Sequence, residues 1–98
     1  MTAQQEIDLA RRAKEALTNP ALTAAFDRYE AKVIEQLRLA DPLDVPKVLM
    51  LKRHLTSLHV VRKNLEIMIA DGAEAEKKLE FERQTIAQRA KSALRRIA

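Results

Sequence analysis

One long stretch of apolar residues, 44–71, limits most strongly what this chain can fold into. Its large apolar side chains recur every three or four positions, which places them on one side of a helix with about 3.6 residues per turn. The members of this stripe are Val48, Leu51, Leu55, Leu58, Leu65 and Ile69. A second row of Leu49, Val60 and Ile67 widens the stripe. The sequence therefore predicts a helix that contacts more than one neighbour.

Length and composition limit the chain to a small helical domain with a thin core. The chain has 98 residues, which suits one domain, and only three of them are aromatic (Phe26, Tyr29 and Phe81). It has no cysteine, which excludes disulfides, a thiol nucleophile and cysteine-ligated zinc. Stability must therefore come from helix packing, which small helical chains often complete by oligomerising. We expect a homo-oligomer.

The first helix is predicted over residues 2–18, ahead of a stop at Asn19-Pro20. Thr2 and Gln5 have the spacing of a capping box. Asn is a good helix cap and Pro is favoured at a first helical position, so a second helix should begin directly after this stop. The apolar stripe of the first helix is thin, and we expect it to pack only where a partner covers it.

Residues 20–71 are predicted to form an antiparallel helical hairpin. Apolar side chains at helical spacing predict its first helix up to about residue 40, and the two prolines of Asp41–Pro46 break the chain before the next helix. A connection this short implies that the two helices pack face to face. In that arrangement Phe26, Tyr29 and Val33 should meet the leucines of the stretch 44–71.

One charged side chain, Arg62, falls on the leucine row between Leu58 and Leu65. An arginine at such a position must reach either an acidic partner or the solvent at the rim of the interface. If the hairpin forms, Glu30 or Glu35 is the expected acidic partner.

Asp71-Gly72 is predicted to close the long helix, because glycine suits the left-handed position after a helix end; a kink at this point is the alternative. Residues 73–98 then predict a further, charged helix. The predicted fold class is all-α: a single helical domain, 1–98, in which the antiparallel hairpin 20–71 is joined by the N-terminal helix and this long charged C-terminal helix.

The predicted C-terminal helix has two features that suggest contacts. Its last part carries basic residues and no acidic residue: Arg83, Arg89, Lys91, Arg95 and Arg96. These side chains could contact nucleic-acid phosphates, dock on an acidic protein patch, or form a solvated helix end. No aromatic residue lies between them, so base stacking is excluded there.

The apolar row of the C-terminal helix is too sparse to anchor it, so we expect it to pack in an oligomer or on a partner. Together with the second row of the stretch 44–71, it defines a candidate oligomer or partner face. The residues of this candidate face are Leu49, Val60, Ile67, Leu79, Ile86 and Ile97.

No pattern of catalytic or ligand-binding residues is present. His54 and His59 are the only histidines, and five positions on a helix separate them by about 140°, which argues against a shared metal ion. No carboxylate pair is accompanied by a histidine, a nucleophile or a glycine-rich loop. The sequence therefore predicts no enzyme activity, no metal and no cofactor.

The distribution of apolar residues also bears on location. No apolar run is long enough to span a membrane, and residues 1–12 lack the apolar core of a signal peptide. The sequence predicts a chain without membrane contact, in the cytoplasm of the cell that produces it.

The arrangement of residues that begin, break and end the predicted helices resembles that of a known group of proteins. Their shared layout is an L-x-N-P entry, an amphipathic helix, an acidic proline-containing hinge and a second helix that ends in D-G. The matching residues are Leu17, Asn19, Pro20, Asp41, Asp44, Asp71 and Gly72. In this layout, residues 16–72 resemble small helical proteins encoded near virion assembly genes in tailed-phage and prophage genomes. The resemblance implies a structural or packaging accessory protein in the host cytoplasm or the virion, and it supplies no site residues.

Two functions are therefore expected. The first is a non-enzymatic, phage-type assembly protein that self-associates through its helices and docks on a virion or packaging component. The alternative is a small nucleic-acid-binding module for DNA packaging, similar to a terminase small subunit, that uses the basic C-terminal residues. An inhibitor of a host enzyme is a third class.

Overall fold

The computed structural model describes residues 1–97, which form three α-helices and no strand. Helix α1 covers Ala3–Thr18, α2 covers Pro20–Leu39 and α3 covers Val45–Ile97. The predicted all-α class is confirmed, and so is the arrangement of a hairpin with an additional N-terminal helix.

Local sequence explains where α1 and α2 begin. The Thr2 hydroxyl accepts the Gln5 backbone N–H at 3.2 Å, and the Gln5 side chain accepts the Thr2 N–H at 2.9 Å. This reciprocal pair is the predicted capping box, and it satisfies two of the N–H groups that a helix start leaves free. The Asn19 side chain likewise accepts the N–H groups of Ala21 and Leu22, with Pro20 in the first helical position. Both predicted helix starts are confirmed.

A tight turn joins α2 to α3. The Asp41 carboxylate accepts the Leu43 N–H at 2.9 Å, and the Asp41 carbonyl accepts the Asp44 N–H at the same distance. The Asp44 carbonyl then accepts the Val48 N–H at 3.1 Å, which is the first hydrogen bond of α3. Pro46 lies in the first turn of α3, where the missing N–H needs no partner. The prolines thus end one helix and begin the next.

Both α1 and α2 run antiparallel to α3. Tyr29 of α2 reaches His54 of α3, whereas Asp27, which precedes Tyr29, reaches Arg62. In α1, Lys14 borders a groove with Ile69, and the earlier residue Gln4 borders one with Arg83. Later residues of α1 and α2 thus meet earlier residues of α3. Because α2 meets Arg62 and His54 whereas α1 meets Ile69 and Arg83, the two short helices lie one after the other along the long one. The result is a rod of 83 × 26 × 16 Å.

The rod is two helices thick, and its core is a single seam. The buried apolar residues are Ala10, Ala13, Val33, Leu51, Leu58 and Ala75. The other members of the predicted stripe, from Val48 to Ile69, are half-buried. A helix pair buries only one stripe on each helix, and sixteen large hydrophobic side chains of residues 1–97 remain more than a third exposed. The thin core expected from the composition is therefore observed.

The prediction that a helix ends at Asp71-Gly72 is wrong. Helix α3 continues through this point for 53 residues, and Gly72 has no positive φ. Gly72 is instead buried where α1 crosses α3. A Cβ on Gly72 would collide with the Ala10 Cβ and lie 3.2 Å from the Glu6 carbonyl oxygen. The glycine therefore provides room for a neighbouring helix, and the residues 73–97 belong to α3.

We expect Gly72→Ala to destabilise the fold although alanine is the better helix former. In an open helix the change would stabilise by about 1 kcal/mol, but here the added methyl pushes α1 away, which costs about 1–3 kcal/mol. Urea unfolding followed by circular dichroism measures the free energy of unfolding.

The double variant Ala10→Gly/Gly72→Ala is the matched test, because it removes a methyl group from α1 and adds one to α3 at the same contact. We expect it to recover most of the stability that Gly72→Ala loses. A single variant as stable as the parent chain would show that α1 does not approach α3 closely at Gly72.

Candidate protein-interaction surfaces

Arg62 joins α2 to α3 in the hairpin. Its guanidinium donates to Glu30 Oε2 at 3.1 Å and to Asp27 Oδ1 at 2.9 Å. The same guanidinium carbon lies 5.4 Å from the centre of the Phe26 ring, within cation–π range. Of the two outcomes that the sequence left open, an acidic partner or the solvent at the rim, the structure shows an acidic partner, Glu30. Asp27 was missed, although it lies three positions before Glu30 and so on the same face of α2.

Glu35, the other expected partner of Arg62, pairs within its own helix. The Arg38 guanidinium donates two hydrogen bonds to the Glu35 carboxylate, at 3.0 and 2.6 Å. These bonds lower the pKa of Glu35 and raise the pKa of Arg38. The pair's stabilisation is present above the usual carboxyl pKa and is lost as the pH falls through the lowered one. Both side chains are exposed, so the pair contributes little to stability.

The two histidines make separate contacts at the edge of the hairpin. His54 Nδ1 lies 3.2 Å from the Tyr29 hydroxyl, and His59 Nε2 lies 3.6 Å from Glu30 Oε2. In residues 1–97, no group of three histidine, cysteine or carboxylate side chains is placed to hold a metal ion. Each histidine therefore contacts a different residue of α2.

A row of apolar side chains on α3 faces away from α1 and α2. Leu49, Val60 and Ile67 are 47%, 50% and 46% exposed. At about 100° per residue, these three lie nearly opposite Leu51 and Leu58 of the buried seam. We call Leu49, Val60 and Ile67 the back row. No helix of the described chain covers it, so it offers an apolar surface to another molecule.

The end of α3 extends past the helix that packs on it. α1 begins at Ala3, and its first turn meets α3 in a groove bordered by Gln4 and Arg83. Residues 84–97 continue beyond that groove, and we call them the overhang. Its large apolar side chains are well exposed, with Ile86 at 65%, Leu94 at 67% and Ile97 at 84%.

The structure distributes the six residues of the predicted partner face over two surfaces. Leu49, Val60 and Ile67 form the back row, whereas Ile86 and Ile97 lie on the overhang about 100° further around α3. The remaining residue, Leu79, is half-buried and borders the α1 groove together with Ile7. These residues were assigned to one face because a helix break was assumed at Gly72. With a break there, residues before and after Gly72 cannot be compared by their angle around one helix axis.

The predicted basic residues divide in a similar way. Arg83 borders the α1 groove, while Arg89, Lys91, Arg95 and Arg96 are exposed on the overhang. The overhang contains no acidic residue. Arg89 and Arg96, seven positions apart, border one side of its apolar row, whereas Lys91 and Arg95 lie about 130° and about 170° around α3 from that row. Positive charge therefore borders the exposed apolar row on one side and also covers the opposite face of the overhang.

The remaining surface offers no enclosed site. The depressions of the rod are grooves between α1 and α3, a small open apolar patch between α2 and α3 beside Phe26 and Leu58, and shallow patches along a single helix, such as the one bordered by Arg89 and Arg96. No helix within residues 1–97 is long and apolar enough to cross a membrane. The candidate functional features are thus the back row and the overhang.

We expect Arg62→Ala to lower the free energy of unfolding by about 1–3 kcal/mol. The change removes two ion pairs, the contact with Phe26 and the aliphatic stem of a side chain that is only 29% exposed. Arg38→Ala is the control, since it also removes a paired arginine but at an exposed position. Thermal unfolding should separate the two variants; equal transition temperatures would contradict a structural role for Arg62.

Comparison of the chain with protein-family models, with curated proteins and with solved structures found no match. The resemblance to phage-encoded helical proteins therefore stays a prediction. What the chain does is argued below from its two candidate surfaces.

Proposed function

We propose that this chain is a non-enzymatic assembly protein that self-associates through its helices and docks on a protein partner. The proposal follows the phage-type interpretation of the sequence, in which the partner is a virion or packaging component. The place of action is then the host cytoplasm or the virion.

The observation that carries the proposal is the back row on a rod only two helices thick. Leu49, Val60 and Ile67 are each about half exposed although they lie on the most apolar stretch of the chain. The row lies directly behind the seam that α2 covers, so a second rod placed there would bury apolar surface on both copies. Apolar burial is the main driving force of such associations. This surface supports self-association.

Docking is assigned to the overhang because no other helix among residues 1–97 covers it. Ile86 and Ile97 are more exposed than the back row, and the basic residues beside them are unpaired with any acid on the same segment. A long helix that extends from a folded hairpin presents such a segment to a partner without unfolding the rest.

We expect the parent chain to associate in a concentration-dependent way and Val60→Glu/Ile67→Glu to be monomeric. The two carboxylates would have to be buried without partners in any association through the back row. Sedimentation velocity over a wide concentration range measures the mass, and circular dichroism checks that the exposed substitutions leave the helices intact.

Gln84→Glu/Gln88→Glu is the matched control. It adds the same two charges at exposed polar sites of α3 that lie about 25 Å or more beyond Ile67 along the helix. This control should associate like the parent chain. A parent chain that is monomeric at every concentration would refute self-association, and an unaffected Val60/Ile67 variant would move the interface away from the back row.

The alternative function is nucleic-acid binding for packaging, and the acid-free charge of the overhang favours it. Binding that depends on Arg89, Lys91, Arg95 and Arg96 should release counterions and weaken steeply as salt increases. A titration of a labelled short duplex at low and high salt tests this function, with the four residues changed to glutamine as the comparison. Absence of binding at low salt would remove the alternative.

A further inference from the structure

The row of α3 that packs on α1 and α2 continues into the overhang, with the charged residues Glu76 and Arg83 at two of its positions beside α1. From Leu51 onwards, alternating steps of four and three residues lead through the buried seam to Gly72, and the same steps lead on to the overhang. The overhang positions reached in this way are Ile86, Ala90, Ala93 and Ile97. Such alternation is the heptad spacing with which two helices pack along their length. The overhang therefore presents the continuation of an interface that is already used.

No other helix of residues 1–97 lies beside this part of the seam. α1 packs on α3 up to the groove at Arg83, and the overhang then stays exposed over about 20 Å. A helix placed in line with α1 would meet the same row of α3 that α1 meets. Its length would be about four turns.

The side chains of this exposed part of the seam permit a close approach. Where α1 packs, Gly72 is buried against Ala10, and the small residues Ala75 of α3 and Ala13 of α1 are also buried. In the overhang, Ala90 and Ala93 take the central positions and the two isoleucines lie at either end. Small residues in the middle with larger ones outside fit a helix that carries small or medium apolar side chains.

Charge decides which kind of helix fits. The overhang has Arg89 and Arg96 beside the seam, Lys91 and Arg95 on the far face of the same helix, and no acid. The overhang of a second copy would bring like charges together, which is unfavourable. A nucleic acid would satisfy the charges but leave the apolar seam uncovered. A helix with an apolar row and carboxylates on the side that meets Arg89 and Arg96 satisfies both features.

We propose that the overhang binds an acidic amphipathic helix of a protein partner, in line with α1. This inference rests on the docking part of the proposed function and is independent of self-association. It specifies the partner's binding element as a helix of about four turns, with an apolar row flanked by aspartate or glutamate.

The test uses the full chain and two synthetic helical peptides that share one leucine and alanine seam. One peptide carries glutamate at the flanking positions and the other carries lysine. Fluorescence anisotropy of the labelled peptides should give at least about tenfold tighter binding of the glutamate peptide, because only its charges oppose those of the overhang. Comparable affinities for the two peptides would overturn the proposal.

Two variants separate seam contacts from charge alone. Ile86→Ser should weaken binding of the glutamate peptide by about tenfold, since it removes an apolar contact of the seam and leaves every charge in place. Leu43→Ser, a similar change at an exposed apolar residue of the turn between α2 and α3, should leave the affinity unchanged. If Ile86→Ser binds like the parent chain, the interaction is only ionic and the proposed helix seam is wrong.

A competition experiment covers the other occupants. A short DNA duplex that displaces the glutamate peptide at physiological salt, with an affinity unaffected by Ile86→Ser, would assign the overhang to nucleic acid and overturn the proposal. Sedimentation without peptide reports self-association separately. A chain that self-associates but does not bind the glutamate peptide therefore loses this inference and keeps the assembly role.

Discussion

The close approach of α1 to α3 at Gly72 is the contact on which the rest of the rod depends. α1 has only a thin apolar stripe, so it must gain its packing energy from close contact between small residues. Ala10 and Ala13 provide that contact from one side, and Gly72 and Ala75 from the other. Once α1 is held there, the capping box at Thr2 fixes where it begins, and the start of α1 fixes where α3 becomes bare. The overhang is thus a direct result of this crossing.

The second half of the rod is held in a different way. Between α2 and α3 the seam contains larger side chains, with Val33, Leu51 and Leu58 buried, and an arginine occupies one of its positions. Arg62 is accommodated because Asp27 and Glu30 meet its guanidinium and Phe26 covers its face. Such a polar contact within an apolar row favours one register of the two helices over its neighbours, since a shift by one turn would separate the charges.

Local signals predicted the helix boundaries well and the site only in part. Thr2 with Gln5, Asn19 with Pro20, and the two prolines of Asp41–Pro46 act within a few residues, so the sequence displays them directly. The prediction of a helix end at Gly72 is wrong because glycine is typical both of helix ends and of close contacts between helices. Only the position of Ala10 beside Gly72 distinguishes the two cases. The heptad spacing that runs on from Leu51 to Ile97, with charged residues at only a few of its positions, was the signal that could have shown one helix. Identifying Asp27 as a partner of Arg62 requires the register of the two hairpin helices, which no local sequence pattern specifies.

The continuity of α3 through Gly72 also has a mechanical consequence. An α-helix of this length bends only gently, so the overhang is fixed in direction relative to the hairpin instead of pivoting at a joint. A load applied at Ile97 is transmitted along one axis to the turn at the other end of the 83 Å rod. A molecule bound at the overhang is therefore held at a set distance and angle from a molecule bound near the turn between α2 and α3.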